Sequence, residues 1–211
     1  MDYTRALTFV FKEHKWIKKI IITGLLTLIP IIGQFHLIGW AVEISKRVID
    51  DDYEKIPEAA SWNYLLRGIK LFLIYLVYSI PVAVIWLALN LLTWIWKALF
   101  NGALENFGIQ LFHFLQNATG FVYFILFLFI MPAVILIFLE TEQLRDSFNF
   151  RKVYLLVKNN NQLFFTLIIA LAVAVVIASL GVSVFYVGII LTIPYAIAFY
   201  AHLLGQTGRI I

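Results

Sequence analysis

IIITGLLTLIPIIGQFHLIGWAV, residues 20–42, is the stretch whose reading decides the fold. It holds no Asp, Glu, Lys or Arg, and about 20 apolar residues suffice for one bilayer crossing. Yet Pro30 and Gly33 sit in its middle. Proline interrupts the helical hydrogen-bond ladder, and a nearby glycine eases a turn. The stretch therefore reads either as one crossing or as two arms that enter and return.

Charge separates the two readings, because Lys and Arg concentrate in cytoplasmic loops. Five precede the stretch: Arg5, Lys12, Lys15, Lys18 and Lys19. Five follow it: Lys46, Arg47, Lys55, Arg67 and Lys70. Lys97 stands alone in the next loop, Arg145, Arg151, Lys152 and Lys158 share the one after, and Arg209 comes near the end. A single crossing leaves six cations on one side and ten on the other. Entry and return leaves fifteen against one. The second partition obeys the charge rule far better, so residues 15–29 and 31–46 are expected to form a helical hairpin turning at Pro30 and Gly33. Each arm has about 15 residues, or roughly 22 Å at 1.5 Å per residue. That is short of a roughly 30 Å hydrocarbon core. The arms are re-entrant, or the flanking lysines snorkel and the bilayer thins.

Working outward, residues 71–96 read as one span. Residues 106–139 hold another, 121–139, after more amphipathic sequence. Residues 159–208 are too long for one helix and are expected to break near Gly181–Ser183, giving spans 163–180 and 184–204. The fold class is thus all-α integral membrane: four full spans plus the N-terminal hairpin, six membrane helices in a single domain over 1–211. Both termini are expected in the cytoplasm, with the cell membrane as the location. Pro81, Pro132 and Pro194 lie inside spans, where neighbouring helices satisfy freed carbonyls; they read as packing kinks, with a gating hinge as the alternative.

Three stripes at helical spacing read as interfacial helices lying in the headgroup plane. The first, within residues 1–15, is Tyr3, Ala6, Leu7, Val10 and Phe11. The second is Phe100, Ala103, Leu104, Phe107, Leu111, Phe114 and Leu115, on the outer face. The third is Phe150, Val153, Tyr154 and Val157. Trp16, Trp62, Trp94 and Trp96 fall near span edges, as an aromatic belt requires.

Composition agrees with a membrane setting. The chain is 63% hydrophobic and 13% charged, against about 25% charged in ordinary soluble domains. Cysteine is absent, which excludes disulfides, thiolate metal sites and cysteine nucleophiles. The net charge of +4 comes without a dense basic block, so nucleic acid is not an expected partner. Lysines and Glu13 interrupt the first twenty residues, and no secretory signal is read there; Met1 onward is expected to remain.

Candidate sites are few. Intramembrane ionisable groups are functional by default, and here none lies mid-span. The polar set is Gln34, His36, Asn90, Thr93, Thr166, Ser179 and His202. Gln34, His36, Asn90 and His202 make the speculative intramembrane polar site, in which His36 and His202 would pair if their segments meet. Two histidines are a thin ligand set, and interhelical hydrogen bonds that fix packing are the stronger expectation. No metal and no cofactor is expected. The acidic run Asp50, Asp51, Asp52, Tyr53, Glu54 reads as a solvated loop, or as a site for a cation or basic partner. Asn117-Ala118-Thr119 fits a glycosylation acceptor. A weak echo relates Ile29-Pro30 and His36–Gly39 to Ile193-Pro194 and His202–Gly205, as an internal repeat in a transporter would. No Ser-His-Asp set, phosphate-cradling loop or metalloprotease helix is present, so no enzyme is expected.

Certain residues carry a family resemblance. Trp16-Ile17-Lys18-Lys19 precedes the Pro-containing segment. Gly39-Trp40, Arg47, Ile56-Pro57-Glu58, Trp62, Leu65, Gly68, Tyr78 and Pro81 follow, with Gly205-Gln206 near the end. Together they resemble the archaeal and bacterial membrane-protein family known as domain of unknown function 4013, where Gly-Tyr usually stands for Gly39-Trp40 and Leu-Pro for Ile56-Pro57. The resemblance implies a prokaryotic membrane and no mechanism. The expectation is a non-catalytic membrane scaffold: an accessory subunit of a membrane complex or a bilayer-organising protein, with lipid, other subunits or a second copy as partners. The alternative is a small transporter or channel with broken helices.

Overall fold

The structure, a computed structural model, describes residues 1–52, 55–183 and 188–211. Among the described residues it is helical, with no strand. Where the charge count predicts a hairpin of residues 15–29 and 31–46, the chain makes two helices, α2 (Trp16–Thr27) and α3 (Ile32–Ile49). Between them the Ile32 amide reaches back to the Pro30 carbonyl at 2.7 Å. Ile31, with φ 67 and ψ −61, is thus the centre of the rarer, positive-φ γ-turn, a strained form for a β-branched residue. Gln34 holds the turn, its Oε1 accepting from the Ile31 amide at 2.5 Å. Gly33 lets the arms close: a Cβ there would overlap the Leu26 carbonyl. α2 is 12 residues, about 18 Å, and α3 carries Glu43, Lys46 and Arg47 in its second half.

Four other helices among the described residues are long and apolar enough to cross a membrane: α4 (Trp62–Leu99), α5 (Ala103–Thr141), α8 (Asn161–Leu180, prolonged by the 3₁₀ turn Gly181–Ser183) and α9 (Ile189–Ile210). That number agrees with the four expected full spans. Their lengths do not. α4 begins well before residue 71 and has 38 residues. α5 takes in the second amphipathic stripe, so Ala103–Leu115 is not a separate interfacial helix; nothing between Gly102 and Thr141 stops the chain from continuing. Asn117 accordingly lies inside α5, not in the surface loop that a glycosylation acceptor needs. α4, α5 and α9 run through Pro81, Pro132 and Pro194. Pro30 sits at a break and Pro194 inside a helix, so the echo between their segments is not repeated in shape. The first residues of the expected 184–204 span lie outside the described residues. The short α1 (Tyr3–Thr8), α6 (Leu144–Ser147) and α7 (Phe150–Asn159) complete the chain.

The helices fall into two compact units. One is Met1–Ile74 with Ile130–Ile211, the other Tyr75–Phe129. In the first, Ile20, Leu37, Trp40, Ile44, Tyr64 and Ala198 share a buried cluster with Phe9 and Val10. α3 runs parallel to α9. The Ser45 hydroxyl donates to the Ala201 carbonyl at 2.8 Å, Gly205 lies on Ser45 and Val48, and Gly208 on Ile49. α1 lies against α9 as well: Tyr3 meets Phe199, Phe9 meets His202 with ring centroids 4.4 Å apart, and the Tyr195 hydroxyl donates to the Leu7 carbonyl at 2.7 Å. The inner part of the first stripe, Ala6 and Val10, is therefore covered by protein and not by lipid. The third stripe forms α7, where Val153 is buried and Phe150 and Tyr154 are exposed. In the second unit, α4 and α5 are tied by a Ser79–Tyr123 hydroxyl pair at 2.9 Å, the Tyr75–Phe127 ring contact, and Trp96 Nε1 donating to the Leu104 carbonyl at 2.9 Å.

Candidate functional site

The polar residues singled out by sequence are mostly taken up by their own helices. Thr93 and Thr166 donate to the carbonyls of Leu89 and Gln162, four residues back, and Asn90 Nδ2 does the same to Trp86 at 2.8 Å. Ser179 donates to the Val176 carbonyl, and Gln34 serves the turn. The two histidines keep separate company. His36 Nε2 accepts from the Ser61 amide at 3.4 Å, and its ring lies edge-on to Tyr64. His202 Nδ1 bonds Gln206 Nε2 at 3.0 Å while its ring lies on Phe9. The register of α3 on α9 explains why they do not pair. Gly205 is level with Ser45 and Val48, which puts His202 at about the level of residue 43 along α3. His36 is then about two turns, or roughly 10 Å, further along. Among the described residues no group of three His, Asp or Glu side chains could hold a metal.

What the structure assembles is a set of ion pairs at the polar ends of the helices. Arg67, in the first turns of α4, forks between two carboxylates: Nη1 pairs with Glu43 of α3, and Nη2 with Glu142 at 2.8 Å. Lys46 shares the same Glu142 oxygen, and Arg47 Nε holds the other oxygen of Glu43 at 3.1 Å. Glu142 follows α5 in the left-handed region, φ 53. The Lys46 hydrogen bond, aided by Arg67, holds its carboxyl below the ordinary 4.5 against the opposing effect of burial. Further pairs join Arg209 to Asp51 at 2.7 Å and Lys152 to Glu140 at 2.7 Å. Asp2 and Gln206 exchange two hydrogen bonds. The acidic run is thus only in part a solvated loop, since Asp51 is held by Arg209; its Tyr53 and Glu54 lie outside the described residues.

A second node sits at the start of α2. Lys19 is buried, and its Nζ meets Glu13 at 2.6 Å, Glu58 at 3.1 Å and the Ile56 carbonyl at 2.8 Å. Glu13 also accepts from the Ile56 amide at 2.9 Å. This ties the connection between α3 and α4 back onto α2. Sequence reading counted these charges by side and missed their pairing. The only local signal was the four-residue spacing of Glu43 and Arg47, which helices favour.

Several residues that carry the family resemblance are the contacts of this assembly. A Cβ on Gly39 would overlap the Tyr64 carbonyl, and one on Gly68 the Phe35 carbonyl. Trp40 and Ile56 are buried in the core, and Gln206 bonds Asp2. The structure defines a helical membrane protein with four helices able to cross a bilayer and an ion-paired polar end. The chain belongs to the family described as Protein of unknown function (DUF4013), whose profile matches residues 22–193. That match covers the Pro30 turn, Gly39-Trp40 and Gly68, and stops short of Lys19 and of Gly205-Gln206. No curated protein and no solved structure matches the chain.

Proposed function

We propose that the chain is a non-catalytic membrane scaffold, an accessory subunit of a membrane complex or a protein that organises the bilayer around it. One observation carries this reading: Thr93, Thr166 and Ser179 each spend their one hydroxyl hydrogen, and Asn90 one of its two amide hydrogens, on carbonyls of their own helices, which leaves little donor capacity for a polar path. Each unit offers apolar side chains: Trp94, Leu87, Phe107 and Phe121 are exposed on α4 and α5, and Val175 on α8. Such a surface suits lipid or the helices of another subunit. Purification in native lipids tests the reading. A partner at fixed stoichiometry, or a change in membrane curvature on reconstitution, is expected. A lone homo-oligomer that passes ions or small solutes in vesicles would replace it with the transporter alternative, which the strained break at Ile31 favours.

The same reading includes an orientation. The segments joined by the ion pairs — the N-terminus, the end of α3, the start of α4, residues 140–152 and the end of α9 — are those the charge rule places inside. We take this end as cytoplasmic, with α2 and α3 entering and returning. The chain has no cysteine, so single-cysteine labelling is clean. Thr8→Cys and Asp51→Cys should label from the same side of right-side-out vesicles, the cytoplasmic one; labelling from opposite sides would remove the hairpin.

A further inference from the structure

The four residues before α2 and its first turn carry Lys12, Lys15, Lys18 and Lys19, which the charge count used only as a side marker. In the structure they line a cavity of about 720 Å³ together with Lys55, Glu13 and Glu58. Both of these carboxylates are engaged by one cation, Lys19. Among the described residues, Lys12, Lys15, Lys18 and Lys55 have no carboxylate within ion-pair distance. The position makes this concentration costly. Lys15 is the N-cap of α2 and supplies no capping hydrogen bond, since an ammonium group has no acceptor. The leading end of a helix is its positive pole, where cations are disfavoured and anions favoured. An anion in the cavity would relieve the lysines and complement the helix end together.

The cavity does not stand alone. A second of about 600 Å³ shares His14, Lys15, Lys18 and Ile22 with it, and its floor continues along Ile17 and Ile21. Ile17 is 53% exposed and Ile21 37%, one turn apart on the same face. A cationic bowl that opens onto an isoleucine gutter has the polarity of an amphiphile with an anionic head. We infer that this site holds an anionic phospholipid, its phosphate among Lys15, Lys18 and Lys55 and the start of an acyl chain along Ile17 and Ile21. Free phosphate would satisfy the lysines but not the gutter, and a zwitterionic lipid would bring its own cation against them. The site is independent of whether the chain scaffolds or transports.

Delipidated full-length protein in detergent is titrated with phosphatidylglycerol or phosphatidylcholine, and retained lipid is counted by native mass spectrometry. The wild type should retain phosphatidylglycerol at least about tenfold better, as basic clusters at a membrane surface do. Lys15→Gln/Lys18→Gln/Lys55→Gln, which leaves the Lys19 node in place, should lose that preference. Lys15→Arg/Lys18→Arg/Lys55→Arg should keep it, and covers the case in which the first variant does not fold. Ile17→Ser/Ile21→Ser should weaken phosphatidylglycerol retention and let inorganic phosphate displace the lipid at a lower concentration than in the wild type. Equal retention of the two lipids, full preference in the glutamine variant, or inorganic phosphate at millimolar concentration displacing the lipid as well as phosphatidylglycerol itself would each overturn the assignment.

Discussion

Replacing Arg67 with leucine should lower the stability of the detergent-solubilised protein by about 2–3 kcal/mol. Removing one partner of a fully buried pair costs about 3–5 kcal/mol, because the charge left behind stays desolvated, whereas an exposed pair is worth about 0–1 kcal/mol. The side chains of Arg67 and Glu43 are each 19% exposed, which sets the expected value between those limits. Arg67→Leu takes one cation from each of two carboxylates, leaving Glu43 with Arg47 and Glu142 with Lys46. Arg67→Lys keeps the charge but cannot fork, so it should recover only part of the loss. Glu43→Gln in the leucine background should recover some as well, the coupling expected of residues in one network. A thermal midpoint unchanged from wild type would show that the network is ornamental.

The network also sets a response to acid. Because the folded protein holds the Glu142 carboxyl below its ordinary 4.5, the stabilisation from its charged form is fully present above that ordinary value. It is lost as pH falls through the depressed folded value. Lys46→Met should flatten this acid limb of a stability–pH profile, since the Lys46 hydrogen bond is the largest cause of the depression.

The second large effect belongs to Gly39. α3 and α4 cross where Gly39 lies on the backbone of Tyr64 and Gly68 on the backbone of Phe35. Small residues at such crossings let helices approach closely, and van der Waals packing then holds them. Gly39→Val must push against backbone, which cannot swing aside. We expect a loss of about 1–3 kcal/mol from overpacking, read as a lower thermal midpoint or faster proteolysis. Gly120→Ala is the matched comparison. There the new methyl meets only the Trp86 ring, at 3.1 Å, and a side chain can move, so the effect should be small. Gly39→Val and Arg67→Leu act on the same crossing one helical turn apart, and their combined cost should fall short of the sum.

These two sites show where sequence reading ran out. Apolar runs and the absence of charge located four spanning helices, because hydrophobic length is a local property. Pro30 and Gly33 located the break between α2 and α3, and Gly181–Ser183 the end of α8, for the same reason. Helix ends were harder: Arg67 and Lys70 argued against helix before residue 71, yet α4 holds both by starting among its ion-pair partners. The stripe through Phe107 was real, but amphipathic spacing alone does not say whether a helix stops before the next apolar run. The Arg67 fork joins α3, α4 and the residue that follows α5, and no spacing along the chain announces it. The histidines were grouped by their likeness of context, while the register of α3 on α9 keeps them apart.

The packing of α1 on α9 has a consequence for biosynthesis. The contacts of Asp2 with Gln206 and of Leu7 with Tyr195 close over separations of 204 and 188 residues. At roughly 5–20 residues per second, α9 leaves the ribosome on the order of ten to forty seconds after its N-terminal partner. Through that interval Leu7 and Phe9 lack the Tyr195 and His202 of α9 that they meet in the finished fold. Their amphipathic stripe lets the segment rest on the membrane surface meanwhile, and docking on α9 replaces lipid with protein. The interfacial character expected from the sequence is thus compatible with the burial of Ala6 and Val10 seen in the structure, if the two belong to successive stages.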